Sequence, residues 1–418
     1  MKEIKWFVLL GCLISLLALP GMAEEASLPA IRITYAADVE LSQEEAVEAQ
    51  VVLEDAGEET SLEAQLRLHD STLDVVETAL PQKSLRVDGG EIRFILYNDG
   101  NDAIYTKIIS AMCGNLIAQG PVAVPVRAQE PVEVYLNGEY WGLYTRREVI
   151  ENAIARFEGL ADTAGLKVAD ANRKAVCGDV TGLMEAFQSI KELDLSLEED
   201  RQTLEELLDT ESFLNWLAVN SYFGTADLYG EIYFYQINEG PWKCAAGDFA
   251  YAMITASDNS LGRVANQDEA QPSLSETAIL AGKMLKVSEY RDAFLTKLGA
   301  LYQALPVEVM QAAVDTENAR IAAALPAHTA RWAEAFAQAL GDAYSYPADA
   351  QEAELFQQYR VYRLRDKTLV QRPWYLFESV QRELEVSDEE MARYFGSKPE
   401  LPEVPDDTWE DYKANNPN

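Results

Sequence analysis

Three acidic residues near the middle of the chain carry the clearest chemical signal in the sequence. Asp227, Glu231 and Asp248 lie where a helical pattern gives way to two β-rich runs. Residues 238–241 are typical of a turn joining two strands. A turn centred within them places Asp248 opposite Glu231, with Asp227 about one strand-end away. Carboxylates grouped in this way can hold Mg²⁺ and take a proton from a hydroxyl group.

The scarcity of histidine favours carboxylate chemistry over the common alternatives. His69 and His328 are the only histidines in the chain, which argues against a Ser-His-Asp triad and against a multi-histidine metal site. We expect both to be structural. After the cleavage described below, Cys113, Cys177 and Cys244 would remain, enough for one internal disulfide at most.

The net charge restricts the partners. The chain of 418 residues has a formal charge of −36 at pH 7. A surface so acidic repels nucleic acid and anionic membranes, and we therefore expect neither as a main partner. It suits solubility and cation binding.

The N-terminus has the pattern of a secretory signal. Residues 1–23 combine two lysines, an apolar run and a small-x-small cleavage site. The apolar run is shorter than the roughly 20 residues that a membrane helix needs, and the mature chain has no other candidate. We therefore expect a secreted or cell-surface protein. Lipoprotein anchoring through Cys12 is the second alternative.

The rest of the pattern predicts an α+β protein with a β-rich first half and a helical second half. Residues 24–60 are expected to form an exported segment with short strands. Asn137-Gly138, between two β-rich runs, is the preferred pair for a type I′ hairpin turn. Helical patterns follow from about residue 181 onward. The last residues, 386–418, are acidic and proline-punctuated, and we expect a disordered tail.

Several helices are predicted from apolar residues at helical spacing. The predicted helices cover residues 101–118, 306–340, 350–364 and 373–383. The apolar stripe of the first of these is expected to belong to the hydrophobic core. Neither a GxxxxGK[ST] nor a GxGxxG phosphate-binding loop is present.

Three stretches together resemble the CotH kinase family, which is named after a spore-coat protein. The first is VEVYLNGEYWGLYTRREVIE, with an NG turn framed by aromatic residues. The second is DTESFLNWLAVN, followed by Asp227 and a strand ending in YFY. The third is the strand that begins with Trp242-Lys243 and leads into Gly247-Asp248-Phe249. QKSLRV, which contains Lys83, is similar to the family's lysine-bearing strand.

The resemblance implies a two-lobed protein-kinase-like fold over residues 61–385, which binds ATP and Mg²⁺ and phosphorylates protein hydroxyls. It implies that Lys83 contacts the nucleotide phosphates and that Glu148 is its ion-pair partner. Asp227 would be the catalytic base and Asp248 a metal ligand, as in general phosphoryl-transfer chemistry. Glu231 is a further candidate metal ligand.

Three positions depart from the family pattern. Ala250 stands where a second carboxylate is usual, Glu231 where an asparagine is expected, and residues 69–72 lack the usual arginine. Two functions therefore stay open: an exported kinase of envelope or spore-coat proteins, and a catalytically inactive pseudokinase that acts in binding or assembly. A glycosidase with two carboxylates is a third alternative, but no pair of acids has the required spacing.

Overall fold

The computed structural model describes residues 27–69, 75–226, 228, 230, 232–265 and 275–416. The expected signal segment with Cys12 lies outside these residues, and so do Asp227 and Glu231. Within the described residues the first half is β-rich and the second half helical, which confirms the α+β class.

The N-terminal half is a closed barrel with strand order β1-β2-β3-β4-β5-β7-β6. Its interior is a hydrophobic core of alternating strand residues such as Ile31, Val51, Val87 and Val134. The barrel closes because β1 pairs in parallel with β6. The seven strands are β1 (Ala30–Tyr35), β2 (Val47–Asp55), β3 (Glu58–Leu68), β4 (Leu85–Gly89), β5 (Ile92–Tyr97), β6 (Gln129–Leu136) and β7 (Glu139–Glu148).

This closure changes the expected domain boundary. Residues 24–60 were expected to precede the domain, yet β1 and β2 are two strands of the same barrel as β3 to β7. The sequence shows each strand locally, but the parallel pairing of β1 with β6 joins residues about a hundred positions apart. No local pattern reports such a contact.

A second sheet has strand order β11-β10-β8-β9, and helices surround it. Its strands are β8 (Leu166–Ala169), β9 (Ala175–Cys177), β10 (Ile232–Ile237) and β11 (Lys243–Ala246). The helices are α1 (Val75–Ala79), α2 (Ile109–Gln119), α3 (Ile150–Glu158), α4 (Thr181–Glu192), α5 (Glu198–Leu207), α6 (Thr210–Phe223), α7 (Glu276–Leu285), α8 (Ser288–Ala304), α9 (Val307–Ile321), α10 (Leu325–Leu340), α11 (Ala350–Arg363), α12 (Leu369–Glu383), α13 (Asp388–Phe395) and α14 (Trp409–Asn415). Among the described residues, no helix has the length and apolar character needed to cross a membrane.

Two predicted helices are divided in the structure. The segment predicted as one helix over 101–118 begins as a 3₁₀ turn, Gly100–Ile104, and α2 follows only at Ile109. The break occurs where the buried Asp102 carboxylate accepts hydrogen bonds from the main-chain N–H groups of Thr106 and Ile108. The region predicted as one helix over 306–340 forms α9 and α10.

The predicted central hairpin is present, but its register differs by one residue. A turn between Glu239 and Gly240 would pair Ile232 with Gly247, whereas Ile232 pairs with Ala246. The reason is that the turn closes earlier, with the Gly240 N–H donating to the Ile237 carbonyl at 3.2 Å. The expected pairing of Asp248 with Glu231 depended on the later turn.

The C-terminal segment, expected to be a disordered tail over 386–418, contains α13 and α14. Both begin with a capping box, in which the helix's third residue and the N-cap satisfy each other's N–H groups. Trp409 and Tyr412 of α14 pack on Tyr359 of α11. These aromatic contacts bury apolar surface, although the composition of the segment as a whole is acidic.

The barrel is attached to the helical half through the second strand of its NG hairpin. The His328 ring accepts the Leu143 N–H through Nδ1 at 3.2 Å, and the Trp332 indole donates to the Trp141 carbonyl at 2.6 Å. Gly142 lies between them with φ +136°. Burial holds the pKa of His328 well below its ordinary value, so that the ring is neutral and can accept. The prediction that His328 is structural fits this role.

We predict that Gly142→Ala lowers the free energy of unfolding by about 3 kcal/mol or more. The new Cβ would lie 2.8 Å from Trp332 Nε1, and the positive φ strains any residue with a side chain. Gly138→Ala is the matched control, since it has φ +86° but no atom within 4 Å of its Cβ; it should cost only about 1–2 kcal/mol. Urea unfolding measures both, and equal losses would contradict the contact with α10.

Candidate functional site

Asp248 lies two residues beyond the end of β11, and its side chain is 22% exposed. One carboxylate oxygen accepts from Arg147 Nη1 at 3.2 Å. The other accepts the main-chain N–H of Ala250 at 3.1 Å. Asp248 is therefore held in place by groups on both sides while part of its surface stays open to solvent.

Arg147, on β7, is the partner that fixes Asp248 to the barrel. Its guanidinium is buried and stacks on the Tyr97 ring, with 3.3 Å between Cζ and the ring centroid. Nε donates to the Gln129 side chain at 3.0 Å, and Nη2 donates to Ser110 Oγ at 2.7 Å. One side chain thus connects β6, α2 and the end of the central hairpin.

The electrostatics keep Asp248 ionised. Burial acts to raise the pKa of this carboxyl, but the positive charges of Arg147 and Arg127 and the Ala250 hydrogen bond outweigh it, so that the pKa lies below its ordinary value. An ionised, partly exposed carboxylate is the form of the side chain that binds Mg²⁺.

Three arginines form a row across the outer face of the barrel. The strand register pairs Arg67 with Arg86, Arg86 with Ile95, and Ile95 with Arg147. Directly paired residues point to the same face of a sheet, so the three guanidinium groups share the face that meets Asp248. We call Arg67, Arg86 and Arg147 the arginine row.

His69 lies among these charges. Burial lowers its pKa, and Arg127, Arg147 and Arg86 lower it further, to about 3. The imidazole is therefore neutral at physiological pH and adds no charge of its own. Several arginines therefore lie near His69, and two of them have acidic partners, Asp88 for Arg86 and Asp248 for Arg147.

Arg127 adds a fourth cation beside the row. It is 7% exposed, and its Nη2 donates to the Tyr233 hydroxyl at 2.7 Å. Its Nε has no hydrogen-bond partner among the described residues. A buried N–H without a partner is costly, and an anion brought to this face would supply an acceptor.

The candidates Lys83 and Glu148 do not pair with each other. Glu148 binds Arg156 at 2.9 Å and accepts the Ala128 N–H at 3.2 Å. Lys83 Nζ donates to the Thr78 carbonyl at 2.7 Å. Glu148 is paired with Phe94 on β5, whereas Lys83 lies near the other end of that strand, roughly 13 Å further along.

Another pair connects the same two regions. Glu151, on the first turn of α3, is buried and binds Arg93 at 3.1 Å and Arg86 at 3.6 Å. Arg86 and Glu151 each lie three residues beyond the predicted pair, Lys83 and Glu148. The expected link between a basic residue on β4 and an acid near the start of α3 is thus formed by different residues.

The segments around Asp227 are tied to the segment that follows Asp248. Asp227 itself lies outside the described residues, but the Ala226 N–H donates to the Tyr251 carbonyl at 2.9 Å. The Met253 N–H donates to the Phe223 carbonyl at 3.2 Å. The residue before Asp227 and the third residue after Asp248 are therefore direct neighbours.

Among the described residues there is no group of three His, Cys, Asp or Glu side chains that could hold a metal ion; Asp227 and Glu231 are outside that set. Within the described part of the chain, no disulfide joins Cys113, Cys177 and Cys244.

Sequence reasoning missed Arg86, Arg127 and Arg147. Arg147 immediately precedes Glu148, the residue that was selected, and neighbours in a strand point to opposite faces. The available signal was the alternation of inward-facing and outward-facing residues along the strand. Within β7, the buried barrel residue Tyr144 lies at an odd number of positions from Arg147, which places Arg147 on the outer face.

The family model described as CotH kinase protein matches residues 76–365 of the chain. No curated protein matches the chain.

We predict that Arg147→Met lowers the free energy of unfolding by roughly 3 kcal/mol at pH 7, since it leaves the Asp248 carboxylate without its partner. The ion pair contributes above the ordinary pKa of the carboxyl and is lost as the pH falls through the lowered value. In the variant, the pKa-lowering effect of Arg147 is gone while the raising effect of burial remains, so the penalty should shrink as the pH approaches about 4.

Two further variants test the cause. Adding Asp248→Asn to Arg147→Met should recover part of the lost stability. Arg146→Met removes the neighbouring arginine, which pairs with Glu130 at 29% exposure, and should cost less than about 1 kcal/mol. Chemical denaturation at several pH values measures all of them; no recovery in the double variant would contradict the assigned pairing.

Proposed function

The chain belongs to the CotH kinase family, and on this basis we propose that it is an exported kinase that transfers phosphate from ATP to Ser or Thr side chains of envelope or spore-coat proteins. The observation that carries the proposal is the ionised Asp248 beside the arginine row. A carboxylate for Mg²⁺ next to cations for phosphate is what phosphoryl transfer requires.

The described residues fit a nucleotide with Mg²⁺. Asp248 would be a metal ligand, with Asp227 as the catalytic base and Glu231 as a second candidate ligand. Asp227 is 21 positions before Asp248, and its neighbour Ala226 is bonded to Tyr251. This bond supports the presence of both acids in one cleft. When bound, Mg²⁺ would neutralise charge on the phosphates.

In this proposal two arginine side chains contact the phosphates, a role that the resemblance had given to Lys83. Arg127 has an unpaired Nε and Arg86 is half-buried on the face that meets Asp248. Guanidinium groups bind phosphate oxygens in a planar, two-pronged geometry. We assign these two to the phosphates, with Lys83 as a further contact. Glu148 then has a structural role through Arg156.

The second candidate function is a pseudokinase that binds or assembles proteins at the cell surface or on the spore coat. Ala250 favours it, because this residue is buried and contributes only its N–H to Asp248. A second carboxylate at that position is usual in the family. Arg147 also occupies one oxygen of Asp248. Both features weaken the site for Mg²⁺.

Export is part of the proposal. Residues 1–23 have the pattern of a cleaved signal, and the acidic mature chain would remain soluble outside the cytoplasm. Anchoring through Cys12 is the alternative. Mass spectrometry of the protein from its native host would distinguish an N-terminus at Glu24 from a lipid-modified Cys12.

We predict that the purified protein binds ATP with Mg²⁺ or Mn²⁺ and transfers phosphate to a protein hydroxyl. Asp227→Asn should reduce transfer by at least about 100-fold and leave nucleotide binding intact, because it removes only the base. Asp248→Asn should abolish the metal-dependent part of binding. Thermal stabilisation by nucleotide and ³²P transfer are the measurements.

Asp292→Asn is the control, since Asp292 is an exposed acid on α8. It should change neither reading. Binding by the wild type with no transfer to any acceptor, including itself, would establish the pseudokinase. Absence of both binding and transfer would rule out the kinase and leave the protein-binding role, which does not require ATP.

A further inference from the structure

Arg372, on α12, is a buried arginine whose contacts are all with main-chain oxygens. Its side chain is 6% exposed. Nη2 donates to the Ser221 carbonyl at 2.8 Å, and Nε donates to the Tyr222 carbonyl at 3.2 Å. Nη1 donates to the carbonyls of two further residues, Ala256 and Asp258. One guanidinium group therefore joins the end of a helix to a separate loop segment.

The first segment is the end of α6, which leads into Asp227. The last carbonyls of a helix have no partner within the helix and carry the negative end of its dipole. A cation at that point donates hydrogen bonds to these carbonyls and is attracted by the negative end of the dipole. Gly224 follows in the left-handed conformation with φ +62°, and a Cβ there would lie 2.7 Å from Arg372 Nη2. The glycine and the arginine fit each other closely.

The second segment is the irregular stretch after Asp248. Besides the two carbonyls bound by Arg372, this stretch contacts the first segment directly. Ser260 Oγ donates to the Thr225 carbonyl at 2.8 Å, and the Ala226 N–H donates to Tyr251. Arg372 is thus the cationic centre of a junction between the segments that carry the two proposed catalytic acids.

The path of α12 explains how Arg372 reaches this junction. The helix follows a π-helical turn at Leu364–Thr368, and Pro373 comes directly after the arginine. A π turn adds one residue and so rotates the following helix face by about 100°. Proline removes one main-chain N–H. The π turn therefore precedes Arg372, and Pro373 follows it.

Among the described residues Arg372 has no carboxylate within salt-bridge distance, which is unusual for a buried arginine. Burial lowers the pKa of Arg372 to about 10, so the group stays charged at neutral pH. Lysine could not replace it, because a single ammonium group lacks the planar fork that reaches carbonyls on two sides. The position therefore needs the geometry of guanidinium as well as its charge.

We propose that Arg372 is a positioning residue that holds the end of α6 against the stretch after Asp248 by binding the main chain of both segments. This inference rests on the proposed kinase function. Arg372 contacts neither nucleotide nor acceptor; it acts through the carbonyls of residues 221–222 and 256–258. A displacement of about 1 Å at a catalytic group can reduce turnover by about 100-fold.

The test compares three variants in the full chain. Arg372→Met and Arg372→Lys should lower kcat by about 100-fold and about 10-fold respectively, with the KM for ATP changed by less than about 3-fold. Gly224→Ala should resemble Arg372→Met, because its Cβ displaces the guanidinium. Arg393→Met, an exposed arginine on the next helix, α13, is the control and should change nothing.

Hydrogen exchange of the same proteins gives a measurement that does not need activity. In the folded Arg372 variants, exchange should rise in residues 220–226 and 249–260 and stay unchanged in the barrel hairpin 129–148. Unchanged kcat together with unchanged exchange in Arg372→Lys would overturn the proposal, as would a uniform rise in exchange over the whole chain in that variant.

The two proposals fail in different ways. A wild type without phosphate transfer removes the kinase function, and exchange then decides the role of Arg372 alone. A wild type with transfer, and a KM for ATP that rises as strongly as kcat falls in the Arg372 variants, keeps the kinase and overturns the positioning role.

Discussion

The contact on which the rest of the site depends is the buried ion pair between Arg147 and Asp248. A guanidinium group offers five N–H donors in one plane, and Arg147 directs them to β6, α2 and the end of the central hairpin. Each partner belongs to a different part of the fold. Because an unpaired charge at this depth is costly, the barrel and the hairpin are constrained to meet with Asp248 against the arginine row.

The same region shows why net charge alone describes a protein poorly. The value of −36 correctly indicates an acidic surface, and repulsion of long polyanions follows from it. The net charge says nothing about one face of the barrel, where burial, together with the positive charges of Arg127 and the arginine row, lowers the pKa of His69 to about 3. A small anion that enters the cleft meets this local field, which is stronger than that of distant surface carboxylates screened by salt.

The sequence was sufficient for local features and insufficient for long-range ones. Asn137-Gly138 specified its hairpin because a type I′ turn needs positive φ at both positions, and both have it. The pairing of β1 with β6 that closes the barrel could not be predicted from any local sequence pattern. The link between the β4 region and the start of α3 is formed by Arg86 and Glu151, each three positions after the residue predicted for it. Side chains of similar charge repeat along both segments, so the sequence alone did not distinguish them.

The remaining question about the site is one of competition for Asp248. Mg²⁺ requires oxygen ligands in octahedral geometry, and each oxygen of Asp248 already accepts one N–H. A carboxylate oxygen has a second lone pair, so a metal can still bind, but the charge of Arg147 opposes a second cation. With Ala250 contributing no carboxylate, the missing negative charge has to come from elsewhere. Nucleotide phosphates carry that charge, so metal and nucleotide should bind together, each weakly without the other. Under the proposed kinase function, such a site would bind Mg²⁺ more tightly when ATP is present.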